Sequence, residues 1–307
     1  SFETNEQLTS QVPAIQVLVN MGYIFLPREQ ETTERQSRRS NVLLETILRD
    51  QLKSINHIQY RGNEYLFSEE NIQSAIQKLK NVKYDGLLKT NEAIYDLITL
   101  GTSLEQTIEG DTKSHTLNFI DWRNPERNVF HVTAEFSVER NRSTETARPD
   151  IVLFVNGIPL VVIECKAPNI DVDQGVSQNI RNQTEEYIPK LFTYAQLLLA
   201  VNKNEAKYAT VGSIAKYWAK WREEGLEEGS DTFEQLNTLI NTPIVSDVRT
   251  EIEQSVECRI PDSTEPRLVT EQDKVIYSLL RPERLLELVW KFTIFDGGTK
   301  KVARYQQ

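Results

Sequence analysis

Residues 148–166 read Arg148-Pro149-Asp150-Ile151-Val152-Leu153-Phe154-Val155-Asn156-Gly157-Ile158-Pro159-Leu160-Val161-Val162-Ile163-Glu164-Cys165-Lys166. Two runs of β-branched and large apolar residues flank Asn156-Gly157, the strongest short-range signal for a β-hairpin. Three charges sit at the open end of that hairpin: Asp150 before the first run, Glu164 and Lys166 at the end of the second. Charges at the ends of such apolar runs are costly to bury unless something pairs with them. Glu164 and Lys166 are two apart on a strand and share a face, while Cys165 points away. Whether Asp150 joins them depends on the loop. A two-residue turn pairs 155 with 158 and sets Asp150 opposite Ile163, on the wrong face. A loop with an odd residue count, such as a type I turn plus a glycine bulge at Gly157, restores the parity. The expectation is an odd loop, with Asp150 facing Glu164.

Two carboxylates and an ammonium gathered there suit a divalent-metal site with a lysine beside it, a layout fit for phosphodiester hydrolysis. That reaction needs a nucleophilic water and neutralisation of phosphate charge. Mg²⁺ serves both needs and prefers a few carboxylate oxygens, leaving the rest of its shell to water and substrate. Asp150 and Glu164 fit as metal ligands, with the Cys165 carbonyl as a third. Lys166 is suited to hold or deprotonate the attacking water and to stabilise a pentavalent transition state. The plainer reading of Glu-x-Lys on a strand is a cross-linked solvated face, and on the pattern alone it is the commoner one. The apolar run Leu160 to Ile163, and Pro149-Asp150 on a paired strand, favour the site.

The chain has 307 residues, 39% hydrophobic, room for one large domain or one domain plus part of another. Its formal net charge is -10, from 35 basic and 45 acidic residues. An autonomous nucleic-acid binder is usually basic, so this chain needs a local basic patch or a partner's affinity. Arg35, Arg38 and Arg39 form a small basic cluster, but Glu31 and Glu34 precede it and a solvated face is the default. With only Cys165 and Cys258, no disulfide framework is expected and a cytoplasmic location is the default. The Cys165 side chain reads as inert core. The start is polar and the apolar runs are short, so neither signal peptide nor membrane segment is expected. His57, His115 and His131 lack zinc-like spacing. Gly297-Gly298-Thr299-Lys300 lacks the spacing of a phosphate-binding loop and reads as a turn, so no ATP site is expected.

The N-terminal third reads as helical. Val12, Ile15, Leu18 and Val19 form a stripe with Pro13 in a first turn and Gly22 as a stop. Ser40 is expected to precede a helix carrying Leu43, Leu44, Ile47, Leu48 and Leu52; Ser68 precedes another, and Asn91 a third that Gly101 closes. From Phe130 to Glu139 apolar and polar residues alternate, which predicts a strand with one wet face. Glu135, on that polar face, reads as solvated. A helix is expected from about Val172 to Tyr187, with Pro189 ending it or starting a short new one. Gln196–Val201 and Ala206–Val211 read as strands. Helices return from about residue 216, residues 263–266 read as a linker, and Pro282 opens a last helix. The abrupt finish at Tyr305-Gln306-Gln307 suggests a fragment of something longer.

Pro149-Asp150 … Glu164-Cys165-Lys166 resembles the PD-(D/E)xK nuclease superfamily. More closely, most of residues 1–307 is similar to the N-terminal part of the R (restriction) subunit of type I restriction–modification enzymes. The likeness runs through Arg148 to Pro168, Gln183-x-x-x-Tyr187 and Leu191 to Leu197. It extends to Leu285-Leu286-Glu287-Leu288 … Phe295-Asp296 … Arg304-Tyr305-Gln306. The resemblance implies an α/β fold: a restriction-endonuclease-like core, with a mixed central sheet flanked by helices, extra N-terminal helices and a helical C-terminal linker. It implies an endonuclease domain over 1–260, with 261–307 as linker and lead-in to an ATP-driven translocase. In that family the Q-x-x-x-Y helix lies beside the metal site, which adds Gln183 and Tyr187 to the candidate catalytic residues Asp150, Glu164 and Lys166. On spacing alone, the same helix face is equally well read as packing by Val176, Ile180 and Tyr187. An upstream helix acid often completes such sites, with Glu6 the nearest match and Glu45 the alternative. The implied activity is Mg²⁺-dependent cleavage of double-stranded DNA in a complex with methyltransferase and specificity subunits, ATP being used only by the longer protein. Two other readings stay open: a stand-alone or repair-type nuclease, and a non-cutting DNA-binding or docking module.

Overall fold

Six strands lie side by side in chain order in one sheet: β1 (Ile24–Phe25), β2 (Phe130–Ala134), β3 (Ile151–Val155), β4 (Ile158–Cys165), β5 (Leu197–Val201) and β6 (Ala206–Ala209). β1 runs parallel to β2 and β4 to β5, while the other neighbours are antiparallel, so the sheet is mixed. The computed structural model describes residues 6–263, 265–296 and 298–302. Gly297 and the Arg304-Tyr305-Gln306 motif lie outside them.

Every residue of β2, β3, β4 and β5 is buried, because helices and loops cover both faces of the sheet. The wet face expected for 130–139 is therefore absent from β2, where His131 and Thr133 are buried like their apolar neighbours, and survives only beyond it, at half-buried Glu135 and Ser137 and exposed Glu139. Alternation marks exposure only where one face of a sheet meets water. The expected strand also breaks at Glu135, whose φ of 54° is left-handed. The chain resumes as a short hairpin, Val138–Glu139 with Thr146–Ala147.

A π-helical turn, Gln7–Gln11, leads into α1 (Val12–Asn20), with Pro13 in the first turn of α1 as expected. α2 (Glu45–Ile55) starts later than Ser40 suggested, because Asn41 Oδ1 takes the Leu43 N–H and holds a turn ahead of the helix. α3 (Leu87–Leu100) starts earlier than expected. Asn91 is inside it, fully buried, donating to the carbonyls of Phe192, Thr193 and Ala195 at 2.8–3.0 Å. Ser68 and Gly101 act as cap and stop as expected. α4 (Val172–Asn182) packs across β4 and β5, and α5 (Pro189–Tyr194) returns the chain to β5.

Near the end, α6 (Glu271–Leu280) packs on α1, and α7 (Pro282–Phe292) follows. The Tyr23 hydroxyl donates to the Leu280 carbonyl at 2.7 Å, and Ser10 donates to the Gln272 side chain at 2.7 Å. A hairpin of β7 (Thr293–Asp296) and β8 (Thr299–Val302) follows, with Thr299 and Lys300 of the expected turn lying in its second strand. It pushes Lys300 inward, where the ammonium donates to Asn91 Oδ1 at 2.7 Å and to Gln196 Oε1. Burial holds that lysine well below its ordinary pKa. Among the described residues no helix is long and apolar enough to cross a membrane.

Candidate functional site

Asp150 and Glu164 meet through an irregularity in β4. The hairpin turn has two residues after all: Val155 pairs with Ile158, and Asn156 (φ 52°) and Gly157 (φ 80°) are both left-handed, as a type I′ turn requires. A side chain at 157 would also stand 2.5 Å from the Leu44 carbonyl oxygen, so glycine is the residue that fits. The odd loop expected from the sequence is thus absent. Parity is restored further along, where the register shifts between Pro159 and Val161 and Leu160 is the extra residue. Its carbonyl accepts the Gln196 N–H at 2.7 Å. Beyond the bulge Ile163 pairs with Ile151, so the next residues, Glu164 and Asp150, face each other. Pro159 is the signal that was available: proline donates nothing to a ladder and sits in strands at edges or bulges.

Glu164 is fully buried and Asp150 is 8% exposed. Asp150 Oδ2 accepts the Cys165 N–H at 2.8 Å. Among the described residues, Glu164 has no hydrogen-bonding partner other than Asp150. Burial, then the charge of Glu135, pushes Asp150 up to about 7, with the Cys165 N–H opposing. Burial and the adjacent Asp150 push Glu164 well above the carboxylate range, and Lys166 opposes more weakly. Two desolvated carboxyls with no protein cation bonded to them form a centre that a divalent ion would relieve. Among the described residues no three His, Cys, Asp or Glu side chains close on one point as a metal cage. Two carboxylates and a carbonyl are still a fitting set for Mg²⁺, which keeps much of its water. The Cys165 thiol is buried, with its pKa pushed far up by burial, as inert core should be.

Glu135 is half-buried and bonded toward Asp150 rather than simply solvated as expected. Its N–H donates to the Asp150 carbonyl at 3.0 Å, and its carboxylate accepts from Gln11 Nε2 at 3.2 Å. The same Gln11 amide donates to the Asp150 carbonyl at 3.0 Å. The left-handed turn at Glu135 swings this side chain out of the strand pattern, and no sequence period reports such a turn. Of the two upstream acids, Glu6 acts on Asp150 electrostatically and Glu45 is engaged elsewhere, with Asn41 and with Lys80 at 3.1 Å.

α4 forms the wall beside Lys166. Gly175 lets it approach closely: a Cβ there would lie 3.2 Å from Ala200 Cβ, 3.6 Å from Lys166 Cγ and 3.7 Å from Glu164 Cβ. Lys166 Nζ donates to Gln178 Oε1 at 2.7 Å. A groove of about 550 Å³ opens here, lined by Lys166, Asp171, Gln174, Gln178 and Arg181 among others.

Gln183 and Tyr187 do not share a helix face, because α4 stops at Asn182. The next N–H groups bond three residues back, and Thr184 Oγ1 donates to the Arg181 carbonyl at 2.7 Å, a side-chain competitor that ends helices. Gln183 Oε1 accepts the Gly212 N–H at 2.9 Å, and its amide donates to the Asn179 carbonyl at 3.3 Å. The Tyr187 ring lies against the guanidiniums of Arg140 and Arg181, 4.2 and 4.8 Å from its centroid. Arg35 departs from the solvated-cluster reading as well. It is buried, paired with Glu31 at 2.9 Å and stacked 4.1 Å over the Phe136 ring, while Arg38 and Arg39 are exposed.

The fold and site define a mixed α/β protein with a buried carboxylate pair and a lysine at one end of its central sheet. Residues 3–215 match the family of type I restriction enzyme R protein N termini, and the chain belongs to that family. It is 29% identical over 229 residues to a Methanocaldococcus jannaschii protein named as the MjaIXP endonuclease subunit of a type I restriction enzyme, covering 74% of this chain and 21% of that protein. It is 25% identical over 254 residues to the EcoprrI endonuclease subunit of Escherichia coli, covering 78% of this chain and 73% of that one. The HindI endonuclease subunit of Haemophilus influenzae is 25% identical over 250 residues, 78% of this chain and 20% of that protein. The chain thus spans about a fifth of the length of the first and third of these relatives.

Proposed function

We propose that this site hydrolyses phosphodiester bonds of double-stranded DNA with Mg²⁺, as the PD-(D/E)xK nuclease module of a type I restriction R subunit. The observation that carries the reading is Glu164, fully buried, ion-paired with no cation among the described residues, and with Asp150 directly opposite. Asp150, Glu164 and the Cys165 carbonyl would hold the ion. When bound, it supplies charge neutralisation at the phosphate and a more acidic water. Asp150 is aimed by the Cys165 N–H, and its backbone is fixed by Gln11 and Glu135. Lys166 stands on the Glu164 face with its ammonium at the groove, where it stabilises charge building on the phosphate and holds the attacking water. Tyr187 keeps Arg181 at the groove edge, and Gln183 ties the end of α4 to Gly212; both act on the reaction through those neighbours.

In the longer protein, an ATP-driven motor following residues 261–307 would deliver the duplex. Methyltransferase and specificity subunits would choose the target, in the cytoplasm. The test is plasmid cleavage by the assembled complex carrying Lys166→Ala, paired with Mn²⁺ calorimetry on the chain and its Glu164→Gln variant. Loss of cleavage in the first and of binding in the second is expected. Wild-type cleavage in Lys166→Ala would remove the nuclease assignment from this site.

A further inference from the structure

We infer that Gln178 is the positioning residue for Lys166, holding its ammonium at the groove with the positive charge left available to the phosphate. This deepens the nuclease reading above and rests on it. The Lys166 ammonium donates to a neutral amide oxygen at 2.7 Å, and no carboxylate among the described residues stands within ion-pair distance of it. Of the acids nearby, Glu164 shares the strand face and acts on the lysine electrostatically without an ion pair, Asp171 caps α4 by accepting the Asp173 N–H at 2.9 Å, and Asp173 pairs with Lys207 at 2.6 Å. A carboxylate at 178 would cancel the charge that a phosphate needs. An amide takes one of three N–H groups and fixes direction without neutralising.

The contact is built from the backbone upward. Gly175 and Gln178 are three apart and share a face of α4. The missing side chain at 175 lets the helix settle on Lys166 Cγ and Glu164 Cβ, which brings residue 178 over the end of the lysine. Long lysine chains lose rotamer entropy when fixed, so a lysine that must be in place at the transition state gains from a partner that orders it beforehand.

The test has two readouts. In the purified chain, pulse labelling of Lys166 by acetic anhydride at one fixed pH, followed by mass spectrometry, reports how firmly its amine is held. Gln178→Ala should speed labelling, because the amine loses the partner that holds it, and Gln178→Glu should slow it, because an ion pair holds the amine more firmly. In the assembled complex both variants should lose about tenfold or more in turnover, with little change in the DNA concentration needed for half rate. Gly175→Ala should give a smaller loss in the same direction. Near-wild-type cleavage in Gln178→Glu would overturn the role, as would unchanged labelling in both Gln178 variants. Lys166→Ala separates the two failures. If it is inactive while the Gln178 variants cut normally, Gln178 has no positioning role and the nuclease reading stands. If it too cuts normally, the nuclease reading falls, and with it the role of Gln178.

Discussion

The Leu160 carbonyl and the Gln196 N–H meet at 2.7 Å, and this one hydrogen bond fixes the bulge that turns Asp150 toward Glu164. Removing Leu160 would restore an unbroken ladder from a two-residue turn, and Glu164 and Lys166 would exchange faces with Cys165. The deletion should abolish Mn²⁺ binding, read by calorimetry, and lower the melting temperature, read by circular dichroism, because charged groups would then point into apolar packing. Retained Mn²⁺ affinity would show that the bulge does not set the site.

Asp150 carries a pH dependence of definite sign. Its carboxyl is raised from an ordinary 3.8 to about 7, so the fold prefers it protonated. That preference is fully present below pH 3.8, weakens as pH rises, and is gone above about 7, where the metal-free protein holds an ionised, buried Asp150 against Glu164. By pH 8 the metal-free fold therefore bears the cost of a buried charge that it does not bear at pH 4. Asp150→Asn should therefore raise the melting temperature of the metal-free chain at pH 8 and change it little at pH 4. Mn²⁺ should bind the wild type more tightly at pH 8 than at pH 6, with proton release. A melting curve for Asp150→Asn that tracks the wild type at every pH would contradict this.

Lys166→Ala should leave folding intact and remove cleavage, because the lysine stabilises charge in the transition state and contributes little packing. Tyr187→Ala should impair cutting less. Its effect should come with altered salt dependence of DNA binding, since it frees Arg181 at the groove edge. Equal and complete loss in both variants would place Tyr187 at the reacting atoms instead.

The basic cluster divides in two. Arg35→Ala should destabilise the fold by roughly 3–5 kcal/mol in denaturant titration, because it strands a buried Glu31 carboxylate. Glu31 is already raised to about 7 by burial, and a loss at the low end of that range is expected if it takes up a proton. The exposed pair is different: Arg38→Ala with Arg39→Ala should leave stability unchanged. If they contact phosphate, DNA affinity should fall evenly across sequences and the salt slope should flatten. An unchanged slope assigns them to the ordinary surface.

What could be read in the sequence followed the strength of the local signal. Asp150, Glu164 and Lys166 were legible because charges close runs that are otherwise wholly apolar. Ser68 and Gly101 were legible because capping is local chemistry. Their failures are equally physical. Asn91 has the composition of a cap, but its amide serves three carbonyls more than a hundred residues away in sequence. The alternation at 130–139 loses its meaning within Phe130–Ala134, where both faces of the sheet are covered, and keeps it from Glu135 to Glu139. The helix carrying Gln183 ended early through Thr184, a competitor too weak to register against a good apolar stripe. Gln178 left no mark because a polar residue on a helix looks the same whether it faces water or a lysine; only the bare Gly175 three residues earlier hinted at a close approach.

Gln196 serves two parts of the molecule with two different sets of atoms. Its main-chain N–H secures the bulge beside the carboxylates, and its side-chain oxygen receives Lys300 from the terminal hairpin. Any residue except proline supplies the first contact, whereas few supply the second. The geometry of the carboxylate pair is thereby insulated from side-chain drift at position 196, while the anchorage of the hairpin is exposed to it. A lineage altering residue 196 would loosen the segment beyond the sheet before it disturbed the chemistry within it.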